Sequence, residues 1–97
     1  MTDLVIVTRK LPDAVEARMK QLFDVRLNTD DRPFTQAELV QAVREARVLV
    51  PPITDRIDAG VLAQAGEELG LIANYGNGTD NIAVNAAAQR KIAVTNT

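Results

Sequence analysis

Residues 71–95 read LIANYGNGTDNIAVNAAAQRKIAVT, and this stretch decides the fold. Leu71-Ile72-Ala73-Asn74-Tyr75 is a short, largely apolar run of the kind that forms a strand buried between two layers. The glycine-bracketed turn Gly76-Asn77-Gly78 follows it. Ile82 to Arg90 reads as a helix, and Ile92-Ala93-Val94-Thr95 as a second strand. Strand, turn, helix and strand in that order make a right-handed crossover, which lays the two strands parallel and packs the helix across them.

Toward the amino terminus the alternation continues, without repetition of sequence. Leu4-Val5-Ile6-Val7-Thr8 is a continuous β-branched run, suited to a buried strand. Pro12 fits a first helical turn, and Ala14, Val15, Met19, Leu22 and Phe23 recur at helical spacing, predicting a helix that ends near Phe23. Val25-Arg26-Leu27 alternates like an edge strand, and Asn28 to Pro33 is a polar turn. Thr35 with Glu38 has the form of a capping box ahead of the stripe Leu39, Val40, Val43 and Ala46. Arg47-Val48-Leu49-Val50 is a third strand, stopped by Pro51-Pro52 because neither proline can donate to a ladder. A third helix is expected from about Asp58 to Ala65, before Gly66 and Gly70. Five strands so interleaved predict a flavodoxin-like, doubly wound α/β sheet of order 2-1-3-4-5. Its last helix is missing, since the sequence ends at Thr95-Asn96-Thr97.

With 97 residues, 46% hydrophobic and 25% charged, the chain suits one domain. Cysteine and histidine are both absent, which removes thiolate chemistry, the usual zinc ligands and the commonest general base near neutral pH. A net charge of -2, with basic and acidic residues interleaved, leaves no electrostatic footprint for nucleic acid. No basic leader is present and no run approaches the roughly 20 apolar residues of a membrane span, so the expectation is a cytoplasmic protein.

In such sheets ligands bind beyond the carboxyl ends of the strands. The segments found there are Thr8-Arg9-Lys10, Asn28-Thr29, Pro51-Pro52-Ile53 and Gly76-Asn77-Gly78. Gly76-Asn77-Gly78-Thr79-Asp80-Asn81 begins like a dinucleotide loop but has Asn81 where the third glycine belongs, and it follows the fourth strand rather than the first. Two accounts stay open for it: a tight turn without a ligand, or a nest of backbone amides for a small carboxylate. Pro51-Pro52 has two readings, a strand stop or one stiff wall of a pocket. Arg9 and Lys10 read as solvated charge, and Asp58 and Asp80 as helix caps. A phosphoacceptor domain is excluded by the missing acidic residues after strands one and three, and a flavodoxin by the absence of glycine from residues 8–13.

Leu71 to Ile82, and again Lys91 to Thr97, resemble the D-isomer-specific 2-hydroxyacid dehydrogenases, with the glyoxylate and hydroxypyruvate reductase branch nearest. Val5 to Arg9 and Thr54 to Asp58 are similar to that branch as well. The resemblance implies that backbone amides of the Gly76-Asn77-Gly78 loop hold the substrate carboxylate and that Pro52 and Ile53 line the pocket. It also implies that this is the amino-terminal part of a substrate-binding domain, with no catalytic, cofactor or metal residue of its own. In that family the arginine, the histidine with its acidic partner and the glycine-rich loop for NAD or NADP occur later in the chain. The isolated chain is then expected to be inactive, to bind no cofactor and, lacking covering segments, to form a homodimer. The other function considered is a stand-alone flavodoxin-like module for binding or self-association, without redox activity.

Overall fold

The computed structural model describes residues 4–28, 32–76 and 78–96. Five strands, β1 (Leu4–Val7), β2 (Asp24–Arg26), β3 (Val48–Val50), β4 (Leu71–Asn74) and β5 (Ala93–Asn96), alternate with α1 (Asp13–Leu22), α2 (Gln36–Glu45), α3 (Ala59–Leu62) and α4 (Val84–Gln89). The sheet is wholly parallel, in the expected order β2-β1-β3-β4-β5. No helix follows β5 among the described residues. Of the expected turn after β2, Thr29, Asp30 and Asp31 lie outside the described residues.

Register explains the layering. Leu49 lies opposite Ile6 and Ile72, so these three side chains share one face of the sheet. They are buried against Leu39, Ala42 and Val43 of α2, Val61 and Leu62 of α3, and Ala87 of α4. Each fully buried aliphatic side chain here contributes about 1.5–3 kcal/mol. On the opposite face Val5, Val7 and Val50 meet Leu11 and Met19, and α1 is the one helix there among the described residues.

Local sequence sets most element ends. Thr35 Oγ1 accepts from the Glu38 amide at 3.2 Å, and Glu38 Oε1 accepts from the Thr35 amide at 2.9 Å, so the capping box forms as read. The Thr35 amide, with Arg32 nearby, holds the Glu38 carboxyl below its ordinary value. At α1 the cap is Pro12, which has no side-chain acceptor. Glu16 reaches back instead, accepting from the Leu11 amide at 3.1 Å and from Lys10 Nζ at 2.7 Å.

Several boundaries differ from the sequence reading by a residue or more, and the contacts behind three of them are plain. The third helix ends at Leu62 because the next turn tightens, with Gln64 and Ala65 donating three residues back, to Val61 and Leu62. That tightening delivers the Gly66 amide to the Val43 carbonyl at 3.0 Å, in a contact so close that a Cβ on Gly66 would lie 2.4 Å from the Arg44 carbonyl oxygen. The fourth helix starts at Val84 rather than Ile82, because Ile57 bridges to Ile82: its amide donates to Asn81 and its carbonyl accepts from Ala83, both at 2.8 Å. The sequence reading of Asp80 as a helix cap is therefore corrected: the cap position of α4 is Ala83, while Asp58 does cap α3, accepting from the Val61 amide at 2.9 Å. The fourth ladder ends at Asn74, and Tyr75 continues only as a bridge to Pro52.

Candidate functional site

The carboxyl ends of β3 and β4 lie side by side, and the loops leaving them form one lip. Tyr75 donates its amide to the Pro51 carbonyl at 2.8 Å, which holds the two loops together just past the ladder. Pro51 is buried, Pro52 half-buried, and Ile53 stands 51% exposed at the rim. Gly76 has φ +145°, and a Cβ there would fall 2.5 Å from Ile53 Cγ2. Glycine is thus required on two counts, backbone angle and the close approach of Ile53. Gly78 has φ +83° and is exposed, with nothing within 4 Å of where its Cβ would lie. Pro52, Ile53 and Gly76 are therefore brought together, with Gly78 beside them. Asn77 lies outside the described residues.

Beneath the lip is a polar network that sequence reading did not assign. Asn74, fully buried at the end of β4, and Asn81 exchange side-chain hydrogen bonds in both directions: Asn74 Nδ2 donates to Asn81 Oδ1 at 2.9 Å and Asn81 Nδ2 to Asn74 Oδ1 at 3.1 Å. Asn74 Nδ2 also donates to the Gly78 carbonyl at 2.9 Å. Asn81 Nδ2 also donates to the Asp55 carbonyl at 2.8 Å, with the Pro52 carbonyl at 3.3 Å. One pair of carboxamides thus clamps the glycine loop on one side and the loop after β3 on the other.

A second cross-link joins the ends of β1 and β3. The buried Thr8 hydroxyl donates to Asp55 Oδ2. Burial pushes the Asp55 carboxyl above its ordinary value, opposed by the Thr8 hydroxyl and the Arg9 charge. Lys10, beyond β1, is tied to Asp13 and Glu16, each at 2.7 Å. These bonds raise Lys10 above its ordinary value and lower both carboxyls.

An open cleft of about 390 Å³ lies behind the clamp, lined by Ile53, Asp55, Arg56, Asp80 and Asn81 and leading toward α3 and α4. Pro52, Gly76 and Gly78 do not line it. Among the described residues no group of three acidic, histidine or cysteine side chains is placed to hold a metal. The glycine loop does not fit a dinucleotide pyrophosphate: the Asn81 side chain occupies the slot of the third glycine and is consumed by the clamp, and α4 starts only after the Ile57–Ile82 bridge. What the lip offers chemically is backbone polarity and apolar shape, with no proton donor or acceptor from a histidine anywhere in the sequence.

A glycine loop at the carboxyl edge of an open parallel sheet, walled by the neighbouring strand's loop, defines the class: an open-sheet α/β domain with its loops gathered at the strand ends. The chain belongs to the D-isomer specific 2-hydroxyacid dehydrogenases, matching the sequence model of their catalytic domain over residues 5–97. It is 36% identical to a glyoxylate reductase of Korarchaeum cryptofilum and, equally, to one of Thermococcus kodakarensis; each match takes in 100% of this chain and 29% of the relative. Among solved structures, a Polaromonas protein described as an NAD-binding D-isomer specific 2-hydroxyacid dehydrogenase superposes with a TM-score of 0.90 at 29% identity, over 97% of this chain and 30% of that one. No helix of the described residues is long and apolar enough to cross a membrane.

Proposed function

We propose that this chain is the substrate-binding part of a longer, cytoplasmic, NAD(P)-dependent 2-hydroxyacid dehydrogenase that reduces a small 2-keto acid such as glyoxylate or hydroxypyruvate. The chain supplies one wall of the cleft. Backbone amides of Gly76-Asn77-Gly78 hold the substrate carboxylate, and Pro52 and Ile53 bound its carbon skeleton. The observation that carries this reading is the meeting of Gly76 with Ile53 at the carboxyl edge of β3 and β4, in a chain that spans 29% of the length of glyoxylate reductases.

When bound, the nicotinamide cofactor would supply the hydride, held by other parts of the longer protein. What these residues do is bind and orient. Amides preorganised by glycine cost no reorganisation when an anion arrives. Incubation of the chain with glyoxylate or hydroxypyruvate and NADH or NADPH is expected to give no turnover. Sustained cofactor oxidation by the chain alone would refute the division of labour.

Self-association is supported by a specific surface. Val15, Leu22 and Phe23 on and beside α1 are 36%, 59% and 47% exposed, an apolar patch on the thinly covered side of the sheet. The chain is expected to sediment as a homodimer. A monomer at every accessible concentration would remove this part of the reading.

A further inference from the structure

We propose that the Asn74–Asn81 carboxamide pair is the positioning element of the carboxylate site, holding the Gly78 carbonyl inward and thereby turning the Thr79 amide outward as a further donor to the acid. This rests on the carboxylate-binding reading above and adds residues to it. The argument is one of peptide geometry. In a trans peptide the carbonyl and the N–H of the same unit point in opposite directions, and the described residues contain no cis peptide. The Gly78 carbonyl accepts from Asn74 Nδ2 at 2.9 Å, and Asn74 is fully buried, so that carbonyl is aimed at the interior. The N–H of the same unit belongs to Thr79 and is aimed the other way.

Two further observations agree. The amides of Gly78 and Thr79 meet no hydrogen-bond partner among the described residues, Gly78 being exposed and Thr79 half-buried. Every polar atom of the buried Asn74 side chain, by contrast, is satisfied, and so is that of every other buried polar side chain among the described residues. The Asn74 hydrogens are directed to Gly78 and Asn81, and Asn81 is in turn fixed by the Asp55 carbonyl. The clamp therefore has one arrangement, and the outward donors inherit it. Because both partners are uncharged, the clamp itself brings neither a competing anion nor a buried counter-charge to the carboxylate.

The test is a titration of the nitrogen-15-labelled 97-residue chain with glyoxylate, and separately with acetate, which carries the carboxylate without the keto group. Both are expected to shift the Gly78 and Thr79 amides with a common dissociation constant. Asn81→Ser, too short to complete the pair, is expected to weaken binding roughly tenfold, the scale of one charge-assisted hydrogen bond. Adding Asn74→Ser should then cost little more, because the pair acts as a unit. Ala87→Gly, a buried change in α4 outside the clamp, should lower stability without changing affinity, which separates positioning from general loosening.

If Gly78 shifts and Thr79 does not, the proposal is overturned while carboxylate binding stands. Unchanged affinity in Asn81→Ser overturns it equally. If neither acid moves any amide of the loop, the underlying reading fails and takes the proposal with it. Should Asn81→Ser not fold, the wild-type shift map alone decides.

Discussion

The two faces of the sheet are held by different physics. On one, Leu49, Ile6 and Ile72 disappear beneath α2, α3 and α4. On the other, α1 buries one residue only, and that residue is the carboxylate of Glu16. The first face is closed by apolar packing; the second is pinned at its edge by Lys10, Glu16 and the Leu11 amide, with Met19 half-buried between. The lesson is that the candidate site stands on the well-packed side's framework: Asn74 ends the strand whose Ile72 is wholly buried.

The sharpest break of this contrast is a pair of truncations. Leu49→Ala should cost about 3 kcal/mol, from lost burial plus the cavity left behind. Met19→Ala, from a half-buried position, should cost about 1 kcal/mol. Chemical denaturation of both variants measures the difference, and equal losses would mean the faces are equivalent.

A smaller effect concerns the link between β1 and β3. Asp55 binds its proton more tightly in the fold than in the unfolded chain, so its contribution to stability falls as pH rises from the ordinary value of 3.8 through the raised one. Asp55→Asn should flatten that slope and gain on the wild type toward neutrality; thermal melts across this range check it, and an unchanged slope would contradict the burial argument.

The smallest effect has the opposite sign. Glu16 is lowered, chiefly by Lys10, so its contribution is present above its ordinary value of 4.5 and disappears as pH falls through the lowered one. Glu16→Gln should therefore melt earlier than wild type near neutrality and together with it in acid. A deficit that persists in acid would assign Glu16 a packing role instead.

Much of the fold was legible because it is written locally. Val5-Ile6-Val7 and Leu71-Ile72 announce buried strands, and Thr35 with Glu38 three residues on announces the helix that starts at Gln36. The glycine loop was legible too, since only glycine tolerates the backbone found at Gly76 beside Ile53. The clamp was not. Thr8 and Asp55 are 47 residues apart and meet only because β1 and β3 are neighbours. Asn81 read as a failed glycine, whereas it is a bracket between two loops. One signal was available: Asn74, a polar residue closing an otherwise apolar run, had to find partners if buried. The late start of α4 was hidden for the same reason, because Ile57 captures the backbone around Ile82 from a distant loop.

The strand order also dictates a sequence of events in time. The middle strand, β3, is only three residues long and pairs on both sides, with β1 and with β4. Strands laid parallel must each close a long excursion of chain before their pairing is rewarded. In a polypeptide emerging from the ribosome, β1 and β2 are available to pair before β3 and β4 have appeared, whereas the lip exists only after β4 has docked. The lip can thus form no earlier than the pairing of the strands beneath it.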